Sequence, residues 1–339
     1  MPMRRSWKIK AGLMGPIFLL VWLCCCGQCR KYPDRSFRMT IDNDFLNYRG
    51  RGTDRFYTNG IQLEYSYPKT GKRFLADKLF LHAESDSQDL AHWGLTQLMF
   101  TPDNISDSSI LENNRPYAGA LFVTRGFTAF SSSLNLVLHS EINIGVIGPL
   151  SFAKNTQIWM HKMINYTKPK GWKNQIRTDI VLNYNINVDK PVYCGQKLQS
   201  NIELKSRVGT LFNDLGFGFG IKAGKLQPHT SHYQNNFTLT KRSKKTQSEL
   251  YFFSKGELRL VLGNSLLQGG FIHSYKNDGS DFYHIAEDDI KRLVSILEMG
   301  IVINKSRMGF SFSQNFISAE FKTTKAQLFG RLSLIYRFG

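Results

Sequence analysis

Apolar and polar residues alternate along much of the chain with a period of two, the spacing of strands with two unlike faces rather than of helices. Over residues 36–44, Phe37, Met39 and Ile41 fall on one face, and Arg38, Thr40, Asp42 and Asp44 on the other. Over 57–67, Tyr57, Ile61, Leu63, Tyr65 and Tyr67 oppose Thr58, Gln62, Glu64 and Ser66. Ile180, Leu182, Tyr184 and Ile186 align in the same way, as do Leu258, Leu260 and Leu262 in 257–262. The last segment sets Leu328, Leu332, Leu334, Tyr336 and Phe338 against Arg331, Ser333 and Arg337. Further strands are expected over 94–100, 118–127, 134–147, 202–211, 216–223, 251–254, 269–274, 293–303 and 309–316.

The polar faces carry charges that would be costly inside a soluble sandwich, whereas a closed barrel in a membrane satisfies both faces, with lipid outside and a polar lumen within. Beyond the first thirty residues no apolar run of about 18 residues occurs, which excludes a bundle of membrane-spanning helices. The expected fold is therefore all-β, a transmembrane antiparallel barrel. A secreted β-sandwich or soluble barrel that binds a polyanion is the competing fold; it predicts no continuous lipid-facing belt. The hydrophilic stretches 104–114, 227–249 and 277–289 read as loops, the second of them basic enough to face acidic head groups.

Composition sharpens this picture in two places. There are 44 Lys plus Arg against 26 Asp plus Glu, a formal charge of +18, which raises nucleic acid, acidic lipid or another polyanion as partner. Part of the excess is local: Arg4, Arg5, Lys8 and Lys10 precede an apolar run over 11–26 broken by Gly12, Gly15 and Pro16, the organisation of a signal peptide. Residues 1–29 are expected to be removed on export, leaving 30–339 as one barrel carrying +14, since the segment holds four positive charges and no acid. That remainder suits acidic lipid head groups better than nucleic acid. Cys24, Cys25, Cys26 and Cys29 also lie in this segment, so the body retains only Cys194 and offers neither a disulfide framework nor a thiolate metal site. Lipid attachment at Cys24 is the alternative fate of the segment, opposed by Leu23 before it.

Two clusters could carry chemistry. Ile41-Asp42-Asn43-Asp44-Phe45 and Thr53-Asp54-Arg55-Phe56-Tyr57-Thr58-Asn59-Gly60 flank one hairpin, which would bring Asp44 and Thr58 to the same rim, both on the lumenal parity. Carboxylate, amide and hydroxyl oxygens there suit calcium; turn capping and lumenal polarity are the plainer reading. In the second, Ile147-Gly148-Pro149 begins a connector in which Gln157 and His161 share a face if 153–165 form a helix. An imidazole can take a proton from water, though a lone histidine is more often a packing residue. Arg115 could hold phosphate or an interior acid, and Trp172 reads as an interfacial or loop-packing aromatic.

Taken in order, DNDF, TDRFYTNG, QLMFTP, NNRPYAG, NIGVIGP followed by Q-x-x-x-H, and GWKNQ resemble the lipid A 3-O-deacylase family, LpxR, over residues 41–175. The resemblance implies a twelve-stranded outer-membrane barrel, exported through a signal peptide, whose calcium-dependent site at the external rim hydrolyses the ester at the 3-position of lipid A. His161 then matches the catalytic histidine, Asp44 the calcium-associated carboxylate, and Asn43 and Thr58 neighbouring polar positions. Gln157 would orient His161 or a water. Lipid A or lipopolysaccharide is the implied substrate, calcium the implied cofactor, and outer-membrane lipid the surroundings. The sequence departs from the family at Thr167, where an acid is expected six residues after the histidine, and in lacking a lysine between Pro102 and Arg115. Asn43 also falls on the lipid-facing parity. An inactive barrel serving as pore, adhesion surface or structural protein is the alternative that these departures favour.

Overall fold

The computed structural model describes residues 35–48, 54–69, 75–83, 89–131, 133–226, 231–234, 237–240, 248–271 and 283–338. The segment read as a signal peptide, 1–29, lies outside them.

Twelve strands close into an antiparallel barrel. They are β1 Arg35–Asn43, β2 Phe56–Pro68, β3 Leu90–Thr101, β4 Ala118–Ser131, β5 Leu136–Ile147, β6 Asp179–Cys194, β7 Leu198–Gly209, β8 Phe212–Lys225, β11 Glu249–Asn264, β12 Leu293–Lys305, β13 Met308–Ile317 and β14 Gln327–Phe338. Two short strands, β9 Ser231–Gln234 and β10 Phe237–Thr240, pair as a separate hairpin inside the stretch expected to be loop. The barrel closes between first and last strands, from Arg35 opposite Phe338 to Asn43 opposite Gly330. On the lumenal side of this seam Asp42 accepts from Arg331 Nε and Nη2 at 2.7 and 2.8 Å.

The alternation read from the sequence is the alternation of the wall. Leu182, Phe217, Leu260 and Ile301 stand out from it, each about half exposed, while Arg38, Asn143, Glu203 and Asp214 are buried on the inner side. Inside, Lys205 bridges Glu203 and Glu257 at 2.8 and 2.9 Å, and Arg207 forks onto Asp214 at 3.0 Å. Pairing of this kind is what lets charges sit in a lumen of low dielectric. A lumenal void of about 210 Å³ remains between residues such as Arg38, Glu203, Lys255 and Glu298. Nearer one rim the interior turns apolar: Phe100, Phe122, Ile147, Val181, Leu211 and Leu266 form one buried cluster, worth about 1.5–3 kcal/mol for each large side chain removed from water.

Three expected strands need correction. Segments 251–254 and 257–262 are halves of the single strand β11; the Lys255-Gly256 pair between them looks like a turn, but Lys255 points into the lumen and pairs with Glu203 at 3.3 Å. Expected strand 269–274 is not seen at Gly269–Phe271, where Gly269 ends a one-turn helix, Ser265–Gln268, with φ 89°; positions 272–274 lie outside the described residues. Both chain ends of the barrel lie at one rim. The described parts of the connections over 44–55, 102–117, 148–178, 265–292 and 318–326 lie at the opposite rim, with the candidate site.

Candidate active site

Helix α1, Ala153–Ile164, forms where Q-x-x-x-H predicts a helix. A 3-10 turn, Gly148–Ser151, with Pro149 in its first turn leads into it. Gly148 has φ +79°, and a Cβ there would lie 2.5 Å from the Arg177 backbone, so glycine is required for the chain to leave β5 at this angle. The buried stripe of α1 is Ala153, Gln157 and His161, one residue every four. It packs against the outer side of the wall: a Cβ at Gly119, an outward position on β4, would lie 2.2 Å from Ser151 Oγ and 2.4 Å from Ala153 Cβ. Gln97 on β3 donates to the Ser151 carbonyl at 2.7 Å. The other face of the segment exposes Leu150, Phe152, Trp159, Met163 and Ile164.

The helix brings its two polar residues onto Asp54. Gln157 Nε2 donates to Asp54 Oδ1 at 3.2 Å, and His161 Nε2 lies 3.2 Å from Asp54 Oδ2. Trp172 Nε1 donates to Gln157 Oε1 at 2.6 Å, which fixes the orientation of the amide. His161 Nδ1 lies 2.5 Å from the Thr167 carbonyl oxygen. A carbonyl only accepts, so Nδ1 carries the proton and Nε2 is the acid–base end of the ring. Burial disfavours the imidazolium, but the Asp54 hydrogen bond, the Thr167 carbonyl and the charges of Asp54 and Asp44 outweigh it, leaving the His161 pKa above the ordinary value.

Asp54 and Thr58 are placed by irregular backbone. Asp54 and Phe56 have φ +28° and +62°, conformations that cost a non-glycine residue about 1–3 kcal/mol and gather at functional sites. The β2–β3 register slips between Tyr57 and Asn59, a bulge that turns Thr58 out of the lumen. Its lumenal parity, expected from simple alternation, is thereby reversed. Thr58 Oγ1 lies 2.7 Å from Thr101 Oγ1, which itself donates to the Asp54 carbonyl at 2.8 Å. The proton between the two threonines therefore comes from Thr58.

Asp44 opens a 3-10 turn, Asp44–Leu46, directly after β1, and its Oδ2 accepts the Arg55 amide at 2.6 Å. Burial pushes its carboxyl up to about 7; the Arg55 hydrogen bond opposes the shift and the charge of Asp54 adds to it. Asn43 caps this turn, its Oδ1 accepting from Phe45 N at 2.8 Å. It lies on the outward face, as its parity predicts; since α1 packs on that same face, outward placement keeps Asn43 beside the site. An outer groove of about 1260 Å³ borders Asp44 and Arg55 and runs over Phe252, Leu297, Ile301 and Phe312.

Asp44, buried and strongly perturbed, feels the charge of Asp54, and carboxylate oxygens with the Thr58 hydroxyl are the donor types that a hard cation such as calcium prefers. A different set, His92, His139 and Glu141, brings possible ligand atoms within 4.8 Å of one another near the other rim. Arg115 pairs with Glu320, the interior-acid alternative of its two readings, and its guanidinium carbon lies 4.1 Å from the Phe100 ring centroid. Trp172 is a buried loop-packing residue with a hydrogen bond to spare for Gln157. The residue that sequence reasoning passes over is Asp54. It sits inside TDRFYTNG, but the family pattern directs attention to a carboxylate six residues after His161; that position, Thr167, gives its backbone carbonyl instead.

A closed wall with an apolar outer belt, a polar lumen and a side-chain cluster on its outer surface defines an outer-membrane barrel protein. The chain belongs to the LpxR family: residues 16–338 match the family described as outer membrane protein LpxR. Among solved structures it is similar to LpxR from Salmonella typhimurium, at 20% identity and a TM-score of 0.67, with 89% of this chain and 100% of that chain covered. The KdgM porin follows at 6% identity and TM-score 0.38, covering 90% and 99%. The β domain of the Bordetella autotransporter BrkA follows at 7% and 0.40, covering 91% and 100%. Comparison with curated proteins gives no match.

Proposed function

We propose that the protein is a calcium-dependent lipid A 3-O-deacylase that hydrolyses the ester-bound acyl chain at the 3-position, at the external rim of the outer membrane. The observation that carries this reading is the Gln157–Asp54–His161 chain, set beside Asp44 on the outer side of the wall. A lipid substrate can reach that surface without leaving the bilayer. The exposed Leu150, Phe152, Trp159 and Ile164 suit a segment seated in the membrane interface. The outer groove beside Asp44 offers apolar wall for an acyl chain. Residues 1–29 would act as the export signal, placing the rim opposite the chain ends outside the cell.

In this reading Asp54 Oδ2 yields its place at His161 Nε2 to the attacking water, and Nε2 takes that water's proton as it attacks the ester carbonyl. Asp54 and Asp44 stabilise the imidazolium so formed, and the Thr167 carbonyl holds the ring in place. The proton then passes to the departing 3-hydroxyl oxygen of the glucosamine, and the fatty acid leaves as its carboxylate after giving the water's second proton to solvent. Gln157, clamped by Trp172, is a positioning residue for Asp54. Asp44, Asp54 and Thr58 would hold the calcium ion, on a turn capped by Asn43; bound there, calcium supplies Lewis-acid polarisation of the carbonyl and charge for the oxyanion. A pore finds less support, because an apolar cluster around Phe100, Phe122 and Leu211 packs inside the barrel near the site rim.

Mass analysis of lipid A incubated with refolded protein tests the proposal. Loss of one 3-linked acyl chain is expected with calcium, and none with chelator or with His161→Gln. Equal release by the wild type and His161→Gln would remove His161 as the base. No release by a folded wild type under any condition would favour the inactive barrel.

A further inference from the structure

We propose that the lumenal side of strands β3–β5 holds a second metal site, formed by His92, His139 and Glu141 and selective for a first-row divalent transition ion, with zinc as the reference. It is separate from the rim site and independent of the activity proposed there. The wall is built around the cluster. His92 on β3 lies opposite Gly126 on β4, and Gly126 lies opposite Glu141 on β5. A Cβ at position 126 would come within 2.3 Å of His92 Cε1, 2.4 Å of His92 Nε2 and 2.9 Å of Glu141 Cβ. Glycine therefore leaves the gap through which the His92 ring reaches across β4. His139, two residues before Glu141 and on the same face, lays its ring parallel to that of His92, with centroids 5.1 Å apart and planes 5° apart.

The ligand atoms converge and are only partly satisfied by one another, His139 Nε2 sharing a hydrogen bond with Glu141. Glu141 Oε2 lies 3.2 Å from His139 Nε2 but 3.6 Å from His92 Nε2, beyond a normal hydrogen bond. His92 Nδ1 is buried with no hydrogen-bond partner among the described residues, in a residue only 1% exposed. A buried imidazole whose Nδ1 has no partner and whose Nε2 reaches Glu141 only at ion-pair distance is under-satisfied, and a cation at Nε2 would give that nitrogen a full partner. The other two ligands are held from behind, as metal ligands are: His139 Nδ1 lies 2.9 Å from Thr128 Oγ1, and Glu141 Oε1 accepts from Asn185 Nδ2 at 2.8 Å. Both contacts leave Nε2 and Oε2 directed to the shared centre. The His139 and Glu141 side chains remain 23% exposed to the lumen, enough for water to fill a fourth position. Two nitrogens and one oxygen favour zinc, cobalt, nickel or copper, whereas calcium prefers an all-oxygen shell.

Cobalt binding to the refolded full chain, followed by visible absorption and by equilibrium dialysis in competition with zinc, tests the site. The wild type should bind one equivalent in a form that zinc displaces and millimolar calcium does not. His92→Gln and Glu141→Gln should each weaken binding by at least about 100-fold, and Asn185→Ala by about 10- to 100-fold. Gly126→Ala keeps all three ligands and should lose binding through the collision alone. His161→Gln should bind as the wild type does. Heat-modifiable electrophoretic mobility identifies the variants that have folded. Should none fold, zinc-induced shifts of the His92 and His139 ring nitrogens in the labelled wild type decide the matter. Absence of saturable cobalt binding in the wild type would reduce the cluster to a histidine–carboxylate network. Binding that survives in folded His92→Gln, that calcium displaces, or that His161→Gln abolishes would equally overturn the proposal.

Discussion

Replacing Gly119 by alanine asks whether α1 is carried rigidly on the barrel wall. The added methyl would lie 2.2 Å from Ser151 Oγ and 2.4 Å from Ala153 Cβ, against a comfortable carbon–carbon contact of about 3.5 Å or more. Ser151 is not free to turn aside, because its hydroxyl donates to the Gly148 carbonyl at 2.6 Å. The start of α1 must lift by about 1 Å, at an overpacking cost of about 1–3 kcal/mol. His161 rides two turns further along the same helix. A displacement of about 1 Å at a reacting group can cost about 100-fold in rate, or about 2.7 kcal/mol of barrier. The expected result in a lipid A deacylation assay is a kcat lowered by about that factor, in a barrel that still folds and shows heat-modifiable mobility. Adding Ser151→Ala and Ala153→Gly removes the two colliding groups and should restore most of the rate. Wild-type turnover in folded Gly119→Ala, or a loss that the two added changes leave untouched, would show that helix and wall are not coupled in this way.

Further expectations follow from the same geometry. Asp54→Asn removes the carboxylate that helps raise the His161 pKa, so the acid limb of the pH–rate profile should move to lower pH while kcat falls; a limb that stays in place would break the link between the two residues. Asp44, pushed up to about 7 by burial, would have to lose its proton to hold the proposed calcium ion. Calcium affinity measured by calorimetry should therefore weaken about tenfold per pH unit below 7 and level off above it, with Asp44→Asn abolishing the dependence. Phe217, 58% exposed on the outer face of β8, should cost about 2–4 kcal/mol when replaced by arginine. Denaturant titration in vesicles reads that cost, and a neutral result would place β8 outside the hydrocarbon belt.

Most of the barrel can be read from one chain because a period of two is a local property: Ile180 and Leu182 stand on the outer face wherever their strand lies in the sheet. Departures come where a tertiary partner overrides local signals. Lys255-Gly256 reads as a break until Glu203 on β7 is seen to receive the lysine. Simple alternation assigns Thr58 to the lumen because a bulge, which inserts one residue and reverses parity, leaves no mark in composition. The site is half legible. Gln157 and His161 share a face because four residues make about one turn of helix, and that much is arithmetic. Asp54 stands 107 positions before His161 in the sequence. Only the outward packing of α1, permitted by Gly119, makes them neighbours.

The position of that cluster on the outside of the wall also bears on kinetics. A site inside a lumen would draw its substrate from bulk water, and its rate would follow concentration per unit volume. One that faces the leaflet meets lipid by diffusion in two dimensions, so its velocity depends on mole fraction within the membrane plane. Diluting the lipid with inert amphiphile at constant bulk concentration should then slow turnover, as though the substrate itself had been removed.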